Sequence, residues 1–393
     1  MRRNNRLLTA VLTAGACLLC ACGSTAASPS AASSETAAAA VSAAAQATTA
    51  AVASTAAAAE TAASADTAAT AAAAVSTSAQ AADATASAAS DGTVVHAAAL
   101  KGPTAMGLVK FMDDADSGAL KDLSVQFTIS AAPDEVTPGL VQGATDIAAV
   151  PGNLASVLYN KTKGGIEVLA INTLGVLYIV DTDGSISGVQ DLRGRTVYAS
   201  GKGSTPEYVL NYILTQNGLT PGKDVTVEWK SEHSECLSAL LADKNAVAML
   251  PEPFVTTAQL KNSSVQTALD LTAEWDSLQK DSKEPSALVM GVLCARKEFV
   301  QAHPAEVASF MAYSRDSAQY VNENTADAAK RIGARDIVPE AVAAKALPKC
   351  SVTYIDGTEM KEKLSGFLQV LYEQDPKATG GALPGDDFYY GAD

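Results

Sequence analysis

The sequence predicts an α/β protein of two lobes. Three observations carry that expectation. Strand-like and helix-like segments alternate from residue 93 onward. The alternation restarts near residue 184, in "DGSISGVQDLRG". A long apolar stretch, 286–296, is then followed by helical patterns alone. Alternation of this kind predicts parallel strands covered by helices. The restart marks a second lobe, and the late strand returns the chain to the first. The lobes then take residues 93–181 plus 292–393 and residues 182–291, joined by two chain crossings that act as a hinge.

The chain begins outside that fold. "MRRNNRLLTAVLTAGACLLCAC" has three arginines and no acid, then an apolar run from Leu7 to Ala21 that is too short to remain as a membrane span. A cysteine, Cys22, directly follows the small residue Ala21, with Leu19 upstream. Cys17 is a poorer match, because Ala14 stands where a leucine is usual. The segment resembles the lipobox of bacterial lipoproteins, which implies that residues 1–21 are a signal peptide and that Cys22 is acylated. Such an anchor places the protein on the extracytoplasmic face of the cell membrane.

Residues 22–92 form the next element, a tether. From Gly23 to Gly92 there is no Lys, Arg, Leu, Ile, Met or aromatic residue, only a run dominated by Ala, Ser and Thr. Alanine favours helix, but a segment with nothing to pack against does not hold a fold. These alanines also inflate the 48% hydrophobic content. Removing residues 1–21 takes three of the 28 basic residues and none of the 43 acidic ones, which leaves a net charge of −18. No basic stripe exists, which excludes nucleic acid and anionic lipid as partners of the folded part.

The folded part, about 300 residues, is at the size where one core becomes two lobes. "TVVHAAAL" (93–100) reads as a buried strand and "PTAMGLVKFMDD" (103–114) as a helix with apolar spacing. Strands at 123–130, 145–150, 167–173 and 176–182 alternate with helices at 134–143 and 153–161. The second series has strands at 195–200, 224–229, 246–250 and 264–270, and helices at 205–217, 234–242 and 253–261. After the strand at 286–296 come helices at 304–323, 325–333, 339–346 and 357–374. Among Cys236, Cys294 and Cys350 at most one intramolecular disulfide can form. His233 and Cys236 lack a second ligand pair at metal spacing, so "KSEHSECLSALL" reads as a polar helix start and no metal or cofactor is expected.

Four strand-to-helix junctions share one chemistry. In "LKGPTAMG", Gly102 turns the chain after Lys101, Pro103 is preset for a first helical turn and Thr104 offers a hydroxyl. In "VPGNLAS", Gly152 allows close backbone approach and Asn153 is a natural N-cap. In "ASGKGSTPEYVL", Gly203 is followed by Ser204, whose spacing to Glu207 makes a capping box, with Thr205 as the alternative cap. In "LPEPFVT", Glu252 stands between two prolines, the second being Pro253. The third stretch is not a Walker loop, because Gly203 separates Lys202 from Ser204 and no glycine sits at the required upstream spacing. Helix N-termini carry unpaired N–H groups and partial positive charge, so four of them at one cleft would favour a polar solute. Ligands in open α/β sheets sit at the carboxyl ends of the strands, here the cleft between the lobes.

At these junctions the chain resembles a known group. "ALKGPTAMGLVKFM", "DIAAVPGNLASVLYNK", "GSTPEYVLNYILTQNGL", "ALLADKNAVAMLPEPFVTTA" and "VLCARKEFVQAHPAEVASF" are similar to solute-binding proteins of ABC importers in the nitrate/sulfonate/taurine group, which also contains receptors for thiamine pyrimidine precursors. The resemblance implies a type II periplasmic-binding fold, a monomer that captures a small solute by hinge closure and delivers it to a membrane permease. By position it implies a ligand shell of Lys101, Gly102, Pro103, Thr104, Gly152, Asn153, Gly203, Ser204, Thr205, Glu252 and Pro253. "ADKNAVAM" departs from relatives that have Gly and Asp there. Glu252 would oppose an anion and suit an amine or aminopyrimidine, or else be a solvated turn carboxylate. Tyr208, Phe254 and Trp275 are either stacking partners or packing residues. The competing function is an enzyme on the same fold, since fold does not settle function. His96, His233 and His303 show no Ser-His-Asp arrangement, so no catalytic residue is expected.

Overall fold

The computed structural model describes residues 92–282 and 286–392. The expected leader, Cys22 and the tether lie outside the described residues. The first run comprises β1 (Val94–Leu100), α1 (Pro103–Met106), α2 (Val109–Asp116), β2 (Ser124–Ser130), α3 (Pro133–Gln142), β3 (Ile147–Pro151), α4 (Gly152–Lys161) and β4 (Ile166–Thr173). The second comprises β5 (Leu177–Asp181), β6 (Thr196–Ser200), α5 (Thr205–Gln216), β7 (Thr226–Lys230), α6 (His233–Ala242), β8 (Val247–Pro251), α7 (Phe254–Lys261), β9 (Gln266–Asp270) and α8 (Leu271–Gln279). The third comprises β10 (Gly291–Arg296), α9 (Lys297–Ala302), α10 (Pro304–Glu323), α11 (Thr325–Ala334), α12 (Glu340–Ala346), β11 (Val352–Ile355) and α13 (Gly357–Gln374).

These strands form two sheets, in the orders β11-β4-β10-β3-β1-β2 and β7-β6-β8-β5-β9. Neither is purely parallel as the alternation predicts. β1 runs parallel to β2 and β3, but β10 is antiparallel to both β3 and β4. In the second sheet β6 is parallel to β7 and β8, while β5 is antiparallel to β8 and β9. Two of the reversed strands, β5 and β10, enter a sheet directly from the other lobe, with no crossover helix to return the chain to the starting edge, and β11 is also antiparallel to its neighbour β4.

The expected boundary at residue 181 is corrected. β5 pairs with β8 and β9, which puts the first crossing at 174–176. Two consecutive apolar segments look alike in sequence, and only their hydrogen-bond partners separate them. The second crossing runs from α8 to β10, and the strand expected over 286–296 is regular only from Gly291. At the crossings the chain passes close to itself: a Cβ on Gly175 would lie 1.9 Å from Thr272 Oγ1. The expected helix 103–114 breaks at Gly107–Leu108. There a Cβ on Gly107 would lie 2.9 Å from Val352 Cγ1, so β11 approaches closely at the break.

Apolar burial explains which strands are central. All eight residues of β4 and all five of β8 are buried, the pattern of strands covered on both faces. One apolar cluster packs α2, α10, α11 and α12 on the first sheet, and another packs α6 and α7 on the second. A third contains residues of both lobes, joining α4, α5, α8 and α13. Cys236, Cys294 and Cys350 are each buried and free, so the one disulfide that the sequence allowed is not formed. No helix among the described residues is long and apolar enough to cross a membrane.

Candidate functional site

The four junctions lie at strand ends as expected, but their side chains are differently engaged. At the first, Gly102 takes φ 123°, a conformation that favours glycine, and caps the four-residue α1. Pro103 opens that helix. Thr104 Oγ1 donates to the Leu100 carbonyl at 2.8 Å, so its proton is engaged within the turn. Lys101 Nζ donates to the Asp336 carbonyl at 2.9 Å, with the Asp336 carboxylate at 3.5 Å, so this cation is already engaged within its own lobe.

The second and third junctions meet. α4 begins at Gly152, so Asn153 is not the N-cap; it sits inside the first turn, almost fully buried. Its Oδ1 accepts from Thr205 Oγ1 at 3.0 Å, and its Nδ2 donates to the Ala378 carbonyl at 3.3 Å. A Cβ on Gly152 would lie 3.3 Å from Val289 Cγ1, which accounts for a residue without a side chain there. The capping box is also corrected. Ser204 Oγ donates back to Gly201, while Glu207 accepts from the Gly203 N–H at 2.6 Å, one residue earlier than the box requires. Thr205 is fully buried and spends its hydroxyl on the other lobe. Gly203 and Lys202 are exposed.

The fourth junction overturns the solvated-turn alternative, for Glu252 is fully buried. Its two oxygens accept from the Thr256 N–H and hydroxyl, each at 3.1 Å, which ties the carboxylate to the first turn of α7. The peptide bond to Pro253 is cis. Burial raises the Glu252 pKa, against the Thr256 hydrogen bonds and Lys349. Across the lobe boundary, Lys349 Nζ stands 3.9 Å from Glu252 Oε1, and the Tyr178 hydroxyl donates to the Lys349 carbonyl at 3.5 Å. Burial, with Asp270 and Glu252 nearby, pushes the Tyr178 phenol up to about 12.

Beside this junction sits a group that the sequence pattern did not assign to the cleft. His233 opens α6, and its Nδ1 is hydrogen-bonded to Ser200 Oγ at the carboxyl end of β6. Its ring packs on Phe254, centroids 5.2 Å apart. Burial holds its pKa down at about 4, so the imidazole is neutral at physiological pH. Ser200, His233, Glu252 and Phe254 all stand at the carboxyl ends of the parallel strands of the second lobe or at the helix starts that follow them, where open α/β sheets bind ligands. "SEHSEC" carried the only signal for His233, and it was shared with an ordinary helix start. Lys349 carried none, because it arrives from a distant segment.

The remaining aromatic candidates separate. Trp275 is fully buried between Tyr212 and Phe367, at 4.9 and 5.5 Å, so it is a packing residue. Tyr208 packs against the cluster shared by the lobes. Phe254 remains beside His233. Among the described residues no group of His, Cys, Asp and Glu could hold a metal ion. The set at the fourth junction offers a neutral imidazole, a buried carboxyl and an aromatic face, which suits hydrogen bonding to a small polar molecule.

Residues 117–282 match the profile of the family described as ABC transporter, phosphonate, periplasmic substrate-binding protein. Among curated proteins none matches the chain. An ABC transporter structure from Parabacteroides distasonis is 24% identical, covering 76% of this chain and 98% of that one, with a TM-score of 0.63. The periplasmic aliphatic sulphonate binding protein SsuA from Escherichia coli is 14% identical, with 76% and 92% covered and a TM-score of 0.60. The ligand binding component of an ABC-type import system from Staphylococcus aureus, solved with zinc bound, is 16% identical, with 76% and 96% covered and a TM-score of 0.57. The fold is the type II periplasmic-binding fold that these structures share, and the family match covers residues 117–282, less than half of the chain.

Proposed function

We propose that this protein is a monomeric, lipid-anchored receptor that captures a small polar solute between its lobes by closure and hands it unchanged to a permease. The observation that carries the reading is the meeting of Ser200, His233, Phe254 and Glu252 at the strand ends of the second lobe, with Lys349 of the first lobe 3.9 Å from Glu252. The solute classes to be tested are sulfonates, phosphonates, nitrate and aminopyrimidines. The ligand shell includes the backbone of the junctions at Gly102–Pro103, Gly152, Gly203–Ser204 and Pro253, together with Glu252 and His233. Lys101, Thr104, Asn153 and Thr205 shape those turns through the contacts described above.

The Ser200–His233 contact does not favour an enzyme. A nucleophile needs a base that takes its proton near neutral pH. An imidazole held at about 4 beside a buried hydroxyl is a weak base for that task. Cys22 is the site of the anchor, and Cys22→Ser should release the protein from the membrane fraction. The decisive experiment is a thermal-shift screen of the four solute classes on the mature chain, because a ligand that binds only the folded state raises the melting temperature. A hit that is lost in Glu252→Gln and His233→Ala supports the reading. Turnover of a hit without any accessory protein would refute it.

A further inference from the structure

His233 is held along one edge of its ring and open along the other. Nδ1 is hydrogen-bonded to Ser200 Oγ at the carboxyl end of β6. Nε2, on the opposite edge of this partly exposed side chain, is paired with no protein group among the described residues. Ser200 in turn touches a third group. His233 and Cys236 stand three residues apart in α6, the spacing that places side chains on one helix face. The Cys236 thiol has no exposed surface and is in hydrogen-bonding contact with the Ser200 hydroxyl. Burial raises its pKa, so the sulfur keeps its proton, just as burial keeps the imidazole neutral. Each of the three groups then carries one hydrogen, and Ser200 stands between the other two.

Such a chain can run in either direction. In one, the Cys236 S–H donates to Ser200 Oγ, the Ser200 O–H donates to Nδ1, and the ring proton sits on Nε2. In the other, Nδ1–H donates to Ser200 Oγ and the Ser200 O–H donates to sulfur, a weak acceptor, while the buried thiol proton goes unused. The first direction gives each buried hydrogen the stronger acceptor, oxygen and then imidazole nitrogen. The bond made by one ring nitrogen sets the protonation of the other. We infer that Cys236 and Ser200 fix His233 as the Nε2–H tautomer, so that the imidazole offers the cleft a hydrogen-bond donor and selects a solute that places an unprotonated acceptor against it. His233 meets the solute, and Cys236 is a positioning residue that acts through Ser200. The solute preference rests on the receptor reading, whereas the tautomer is a property of the ligand-free chain. Glu252 does not supply this donor, since both its oxygens accept from Thr256. An oxygen of a sulfonate, phosphonate or nitrate meets the requirement, as does an unprotonated ring nitrogen. A cationic amine, which has donors alone, does not.

The test is nitrogen NMR on the mature chain carrying isotope-labelled histidine, with the His233 signals assigned by their loss in His233→Gln. In the ligand-free wild type, Nδ1 should resonate as an unprotonated ring nitrogen and Nε2 as an N–H. Cys236→Ala should lower the ratio of the two tautomers about fivefold, as loss of one ordinary hydrogen bond allows. Cys236→Ser, which keeps a donor at that position, should restore the ratio. An N–H at Nδ1 in the wild type would overturn the inference, and this reading needs no variant to fold. A ratio unmoved by Cys236→Ala would also overturn it. Methanesulfonate, methylphosphonate and nitrate then serve as acceptor probes, with methylammonium as the donor-only control. A bound acceptor should shift the Nε2 signal and leave its proton in place, and methylammonium should leave the signal unchanged. Methylammonium binding that moves the ring proton to Nδ1 would count against the inference. If no acceptor probe binds, the receptor reading suffers while the tautomer result stands, so the two failures are told apart.

Discussion

Acidification tests the environment assigned to His233. Burial lowers its pKa from an ordinary 6.5 to about 4. The unfolded chain therefore binds a proton that the folded chain refuses, throughout the window between those values. Its contribution to stability is present above the unfolded value and is lost as pH falls toward the folded one. With these two values the loss between about pH 7.5 and about pH 5 comes to about 2 kcal/mol. Glu252 works in the opposite direction. Its carboxyl pKa is raised by burial, so its contribution grows as pH falls through the carboxylate range. A simple acid melt would mix the two, and the measurement is therefore a difference. Urea unfolding of the wild type and of His233→Gln at both pH values should show the wild type losing about 2 kcal/mol more than the variant. Equal losses would overturn this assignment, because His233 would then titrate as a solvated imidazole and could not be the enclosed neutral group that packs on Phe254.

Thr205→Val removes the donor to Asn153 and leaves Oδ1 buried without it, at an expected cost of about 1–3 kcal/mol in urea unfolding; Thr205→Ser should recover most of that loss. Gly175→Ala places a methyl group where Thr272 Oγ1 would be 1.9 Å away, and should destabilise the chain by about 1–3 kcal/mol, with partial relief from a second change, Thr272→Ala. Because Cys236, Cys294 and Cys350 are separately buried and free, the melting temperature of the folded part should not change on addition of a reductant, and a drop would show a disulfide.

Much of the fold is legible in the residue pattern. The apolar run Val168–Ile171 within β4, the apolar β8 and the amphipathic spacing of α11 and α13 are local signals of buried strands and one-sided helices. The glycines at 102, 201 and 203 mark turns that take positive φ. Less legible is which apolar segment joins which sheet. β4 and β5 are similar in composition and separated by three residues, yet they lie in different sheets. The break at Gly107 depends on Val352, almost 250 residues away, and so leaves no local trace.

The α/β class, the existence of two lobes and the four helix starts at strand ends follow from residue order, because periodicity, turn chemistry and capping act over a few neighbouring residues. What the polar groups at those starts do is set by packing. Asn153 and Thr205 satisfy each other across the lobes, Lys101 is engaged by Asp336, and Glu252 is buried against Thr256 with Lys349 approaching from the other lobe. His233 joins them through Ser200 at the end of β6, the strand that pairs with the one before it. Hydrogen-bond pairing and desolvation depend on which distant segment arrives at a given point, and that is a property of the packed chain.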